Sequence, residues 1–137
     1  MNLFQVNLFV SDFRTMLAFY THALGFAINE VDPGPPCVRG VNWASVLSGS
    51  VIIELFDVAA FGDPAPQSIN REAAQLCFIV DNVAEQWNRL TDNGVDLDPI
   101  ETHDWGRCAA FRDPEGNRLQ IFEVTDHTAA PERARDE

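Results

Sequence analysis

The sequence predicts an α+β protein made of two βαβββ modules whose strands form mixed sheets. Three observations carry that prediction. The segment FQVNLFVSD at 4–12 returns as AQLCFIVDN at 74–82, so a strand followed by a helix-capping residue occurs twice. The helix stop Leu24-Gly25-Phe26 returns as Asn93-Gly94-Val95. The strand VIIELF at 51–56 has its counterpart in RLQIF at 118–122. A module of about 55 residues is too small to bury both faces of its sheet alone, which predicts that the two pack together. The expected organisation is a single domain over 1–124, with modules at 3–57 and 73–124, a linker at 58–72 and a polar tail at 125–137.

The first strand is expected at 4–10, where Phe4, Val6, Leu8 and Val10 alternate with Gln5, Asn7 and Phe9. Ser11 or Asp12 then caps a helix running to about Leu24, with Met16, Phe19, Tyr20 and Ala23 at helical spacing. Gly25 suits the left-handed position past its last turn. Strands follow at 27–31, 41–47 and 51–56, separated by the Pro-rich loop 32–36 and by the turn Ser48-Gly49-Ser50. In the last of these, Glu54 shares a face with Ile52 and Phe56. Residues 57–71 carry Gly62, Pro64 and Pro66 and read as a connection.

The second module opens with a strand at 75–80. Asp81 is expected to cap a helix bearing Val83, Trp87 and Leu90, which Gly94 ends. Strands near 95–97, 108–112 and 118–124 complete it, with a loop at 97–105. Asp113-Pro114-Glu115-Gly116-Asn117 joins the last two strands. Proline presets φ early in the turn and Gly116 takes the φ > 0 position. The last strand is apolar on both faces, yet it places Gln120 beside Phe122, which predicts an enclosed polar position.

Composition excludes several classes. The hydrophobic share of 46%, with 10 Phe and 3 Trp, is enough for a real core, and no apolar run reaches the ~20 residues that span a bilayer. The N-terminus lacks a secretory pattern. Cys37, Cys77 and Cys108 are odd in number and form no CxxC pair, as in a reduced cytoplasmic protein without a zinc ribbon. A net charge of −12 repels phosphate backbones, which argues against nucleic-acid partners. It serves solubility and favours cationic ligands.

In the repeat register Gln5, Glu54, Gln75 and Gln120 occupy equivalent places on the sheet faces turned away from the helices. Four long polar side chains from four strands mark the candidate site. Together with VNLFVSD, LAFYTHALGF, IIELF and WGRCAAFRDPEGN, they give a chain that over about 3–124 resembles the vicinal oxygen chelate superfamily of glyoxalases, bleomycin-resistance proteins and extradiol dioxygenases. The resemblance implies paired βαβββ modules curled into a half-open barrel around the site, and a homodimer. It also implies a metal at the positions of Gln5, Glu54, Gln75 and Gln120, where the family's metal enzymes carry His or Gln, Glu, His and Glu. Here Gln75 replaces a His and Gln120 a Glu. One carboxylate and three neutral amides are a weak donor set for a transition metal. The expectation is therefore no cofactor, with a divalent metal as the alternative, and no two-His-one-carboxylate dioxygenase site.

Glu54 has four readings: metal ligand, general base, anchor for a cationic ligand, or a carboxylate satisfied by the neighbouring glutamines. Desolvation would raise its pKa and suit it to proton abstraction. Gln5, Gln75 and Gln120 either bind a polar ligand or satisfy one another. Asn7, Cys77 and Phe122 share their faces as lining, with Cys77 a small hydrophobe rather than a nucleophile. Trp43 and Trp105 lie near the expected cavity mouth as aromatic walls for planar or cationic ligands, whereas Trp87 reads as core. His103 is the histidine placed to transfer a proton; His22 and His127 read as exposed. Arg107 and Arg112 are surface cations available to an anion.

Two functions follow from these readings. The first is a small-molecule-binding protein of the bleomycin-resistance kind, taking a cationic or amphipathic ligand. The alternative is a lyase or isomerase of the glyoxalase type, using a metal at the four positions or Glu54 as a metal-free base. A third reading is a protein that has lost its site, its glutamines satisfying one another, and serves only as a dimeric interaction module; an occupied cavity would count against it.

Overall fold

The computed structural model describes residues 1–31, 43–58 and 68–124. The Pro-rich loop 32–36 with Cys37, most of the 57–71 connection, and the tail with His127 lie outside them. The chain divides into two compact units, Met1–Asn70 and Arg71–Glu137.

In the first unit, β1 (Gln5–Val10), β2 (Ala27–Val31), β3 (Trp43–Ser48) and β4 (Val51–Asp57) form a mixed sheet in the order β1-β4-β3-β2. β1 and β4 are parallel and the other pairs antiparallel. Helix α1 (Phe13–Ala18) packs against β4. Of the two expected caps it is Asp12 that serves, accepting from the Thr15 amide at 3.2 Å and the Thr15 hydroxyl at 2.7 Å. The helix does not continue to Leu24 as one α-helix. Residues Phe19–Ala23 form a π turn, in which the Leu24 amide reaches back to the Phe19 carbonyl at 2.9 Å. Thr21 Oγ1 donates to the Leu17 carbonyl at 2.7 Å, and such side-chain back-bonding loosens the regular ladder. Met16 and Tyr20 are fully buried, as are Val10, Ala44, Val46 and Leu55, so the core lies between the helix and one sheet face.

The second unit repeats the plan. Strands β5 (Gln75–Ile79), β6 (Glu101–His103), β7 (Gly106–Arg112) and β8 (Arg118–Val124) run in the order β5-β8-β7-β6, with β5 and β8 parallel. Helix α2 (Val83–Asp92) packs on β7 and β8, over a core containing Val83, Leu90, Ala109, Phe111, Leu119 and Ile121. Its cap is Asn82, which accepts from the Glu85 amide at 3.0 Å, not Asp81. Asn82 aligns with Asp12, so the repeat itself marks the capping position. Gly25 and Gly94 close the two helical segments at φ 85° and 89°, the left-handed conformation only glycine takes without strain.

Two assignments in this unit change. Val95 and Leu97 are buried but form no strand; the segment is tied by the single bridge Leu97–Phe111, the Asp98 amide to the Ala110 carbonyl at 2.8 Å, and Trp87 Nε1 to the Asp98 carbonyl at 2.9 Å. The third strand is instead Glu101–His103, within the expected loop. It is an exposed edge strand, so its residues carry no apolar alternation. The β7–β8 turn is held by buried Asp113. Its Oδ1 accepts from the Glu115 and Asn117 amides, both at 3.0 Å, and its Oδ2 from Asn117 Nδ2 at 2.7 Å.

Candidate functional site

Strand alternation gives each sheet one face under its helix and one face away from it. In the first unit the outer face carries a polar row crossing the strands. Asn7 on β1 is registered to Glu54 on β4, and Glu54 to Ser45 on β3. Gln5 donates through Nε2 to Asn7 Oδ1 at 2.6 Å and to Glu54 Oε2. Asn29, beside an irregularity in β2, donates to the Ser45 hydroxyl at 3.2 Å. The neighbouring row is aromatic. Phe9 is registered to Phe56 and Phe56 to Trp43, and the Phe9 and Phe56 rings stack with centroids 5.7 Å apart.

Glu54 is the charged centre of this face. It is half-buried, and desolvation pushes its carboxyl above the ordinary glutamate value. The Gln5 hydrogen bond opposes that rise, and the negative charge of Glu30 adds to it. A desolvated carboxylate beside stacked aromatic rings can hold an organic cation by charge and by ring contact together, or accept a proton.

The outer face of the second unit carries Gln75, Cys77 and Ile79 on β5, Gln120 and Phe122 on β8, and Cys108 and Ala110 on β7. Gln75 and Gln120 are half-buried and Cys77 is exposed. Cys77 is registered to Gln120, and its thiol donates to Gln75 Oε1 at 3.7 Å. Desolvation raises the Cys77 thiol, against the nearby Arg118 charge, so it rests protonated, as a small hydrophobe does.

The remaining residues sort clearly. Trp105 stands in the turn after β6, its indole parallel to the His103 ring at 5.3 Å and edge-on to Phe122 at 6.3 Å. His103 lies in β6 rather than in a loop. His22 is exposed, and Trp87 is half-buried on α2. Arg107 is directed to the helix-side face and is paired with Glu123 at 2.5 Å. Arg112 is paired with Glu72 at 2.7 Å and donates to the Gly116 carbonyl at 2.8 Å. Neither arginine is a free cation for an anion.

Sequence reading passed over Phe9, Ser45, Phe56 and Asn29. The alternation in β1 and β4 already placed Phe9 and Phe56 beside Gln5 and Glu54. Ser45 needed the β3–β4 register, and Asn29 the irregularity in β2, which no local pattern announces.

With this geometry in place the family is plain. The chain belongs to the Glyoxalase/Bleomycin resistance protein/Dioxygenase superfamily, whose model matches residues 2–121. Among its relatives, the uncharacterized protein YraH of Bacillus subtilis (strain 168) is 29% identical over 90% of this chain and 99% of its own length. The crystal structure of TnmS3, an antibiotic binding protein from Streptomyces sp. CB03234, superposes with a TM-score of 0.71 at 27% identity, covering 91% of this chain and 97% of that one. Lactoylglutathione lyase from Agrobacterium tumefaciens shares the fold at a TM-score of 0.67 and 20% identity, over 89% of this chain and 92% of its own.

Proposed function

We propose that this protein binds a cationic, amphipathic small molecule on the outer face of the first sheet, with Glu54 as the charged anchor. The observation that carries the reading is the adjacency of two rows on one face. Glu54 stands in the polar row with Asn7 and Ser45, and Phe9, Phe56 and Trp43 form the aromatic row next to it. Gln5 orients the carboxylate, and Asn7 and Ser45 supply further polar contacts. In the second unit Gln75, Cys77, Gln120 and Phe122, with Trp105 against Phe122, form a separate face of that unit's own sheet that we propose as further ligand-binding lining. The net charge of −12 draws cations toward the protein. A 27% identical neighbour is an antibiotic binding protein, which supports a binding rather than a catalytic role.

The donor set at Gln5, Glu54, Gln75 and Gln120 fits a divalent transition metal poorly. Amide oxygens are weak ligands, and Glu54, the one carboxylate of the set, already accepts from the Gln5 amide. No step is assigned to a metal there. We also infer a homodimer, as the resemblance implies, which analytical ultracentrifugation reads directly.

Calorimetry with a panel of planar organic cations and their uncharged counterparts tests the binding reading. Saturable binding that prefers the cations and is lost in Glu54→Gln is expected. Equal affinity for charged and neutral members, unchanged in the variant, overturns it. The raised Glu54 carboxyl favours a second reading, a metal-free proton-abstracting enzyme. It requires a substrate turned over by the wild type and not by Glu54→Gln; turnover that survives the substitution removes it.

A further inference from the structure

The β6–β7 hairpin holds a second group of donors, distinct from the polar row around Glu54. Glu101 on β6 is registered to Cys108 on β7, and His103 lies two residues along β6, on the same face. One ligand atom from each of the three lies within 4.8 Å of the others. The Cys108 thiol already donates to Glu101 Oε2 at 3.8 Å. Cys108 is buried, whereas Glu101 and His103 are exposed, so the group has a fixed floor and two adjustable walls open to solvent.

One feature prepares the hairpin further. The His103 ring lies 8° from parallel to the Trp105 indole, which restricts the plane in which its nitrogens are offered.

We propose that Glu101, His103 and Cys108 form a binding site for a borderline divalent cation of the zinc class. The set is one thiolate, one imidazole nitrogen and one carboxylate oxygen, which suits zinc far better than magnesium or calcium. Zinc bond lengths imply ligand-to-ligand distances of roughly 3.4–3.8 Å in a tetrahedral site. The exposed Glu101 and His103 side chains close the difference by rotation. On binding, the Cys108 S–H bond breaks, the sulfur bonds the metal and the proton leaves to solvent. The thiolate and carboxylate charges balance the ion. With three protein donors, the fourth position stays open to water or to an exogenous ligand.

Cobalt(II) titration of the full chain in a Cys37→Ser/Cys77→Ser background tests the proposal, because Cys108 is then the single thiol. A thiolate-to-cobalt charge-transfer band saturating at one equivalent and displaced by zinc is expected. Affinity should fall at least about tenfold in His103→Gln and in Glu101→Gln, a scale that even outer-shell partners of a metal reach. Both positions are exposed, so these variants should keep the fold, which thermal melts check. Glu54→Gln should leave the band unchanged. Absence of the band, its persistence at full affinity in both β6 variants, or its loss in Glu54→Gln overturns the site.

Discussion

Gln5 and Glu54 lie on neighbouring parallel strands, and the Gln5 carboxamide donates to Glu54 Oε2 although Asn7, not Gln5, is registered to Glu54. Gln5 therefore reaches diagonally and holds both members of the registered pair. The contact stabilises the charged form of a carboxyl that burial otherwise pushes toward neutrality. Replacing Gln5 by Leu should raise the Glu54 pKa further, as read by carboxyl-carbon NMR titration. A value equal to or lower than the wild type contradicts the assigned role.

The same shift makes stability depend on pH. Folding raises the Glu54 value, so the folded state holds this proton more tightly than the unfolded chain does. Its contribution is fully present below the ordinary glutamate value, about 4.3, and is lost as pH rises through the folded one. Glu54→Gln should remove that loss. Melting temperatures of variant and wild type should diverge in the variant's favour as pH rises from 4 to 7, and parallel curves count against the shift.

Asn82 caps α2 and Asp81 does not. Asn82→Ala should cost about 1 kcal/mol in denaturant unfolding, and Asp81→Ala clearly less. The reverse order returns the cap to Asp81.

At Gly106 an added Cβ falls 1.9 Å from the Glu123 carbonyl oxygen and 2.9 Å from its carbon. Both belong to the backbone of β8, so no side chain can swing away. Gly106→Ala should destabilise by several kcal/mol, beyond the usual range of a surface change. A loss under about 1 kcal/mol shows that β7 and β8 are not this close.

Asp113 is buried and satisfies three donors of its own turn. Asp113→Ala leaves those donors without their acceptor and should cost roughly 2–3 kcal/mol. Pro114→Ala, at the exposed position of the same turn, should cost less than Asp113→Ala does.

Much of the architecture was legible because it is written twice. The strand-cap-helix-glycine sequence of each module made most of both sheets predictable, and strands 51–56 and 118–124 carried their own alternation. The errors have physical causes. Glu101-Thr102-His103 is an edge strand with nothing to bury, so it looks like a loop. Val95 and Leu97 are buried without a ladder, so they look like a strand. The π turn at 19–23 depends on a threonine hydroxyl meeting a carbonyl, which leaves no periodic trace. Polar residues on apolar strands marked Gln5 and Glu54 on the first sheet and Gln120 on the second as candidates. Ser45 and Asn29 joined Gln5 and Glu54 only through register. The donors at Glu101, His103 and Cys108 were likewise invisible until β6 and β7 were paired.

The central claim is that the outer face of the first sheet is where the ligand sits. An amide-resolved NMR titration of the intact protein with a planar aromatic cation tests this most directly. Saturable shifts concentrated at Asn7, Phe9, Ser45, Glu54 and Phe56, and abolished in Glu54→Gln, are the predicted result. Saturable shifts that bypass these residues, or no shifts with any cation of the panel, contradict it.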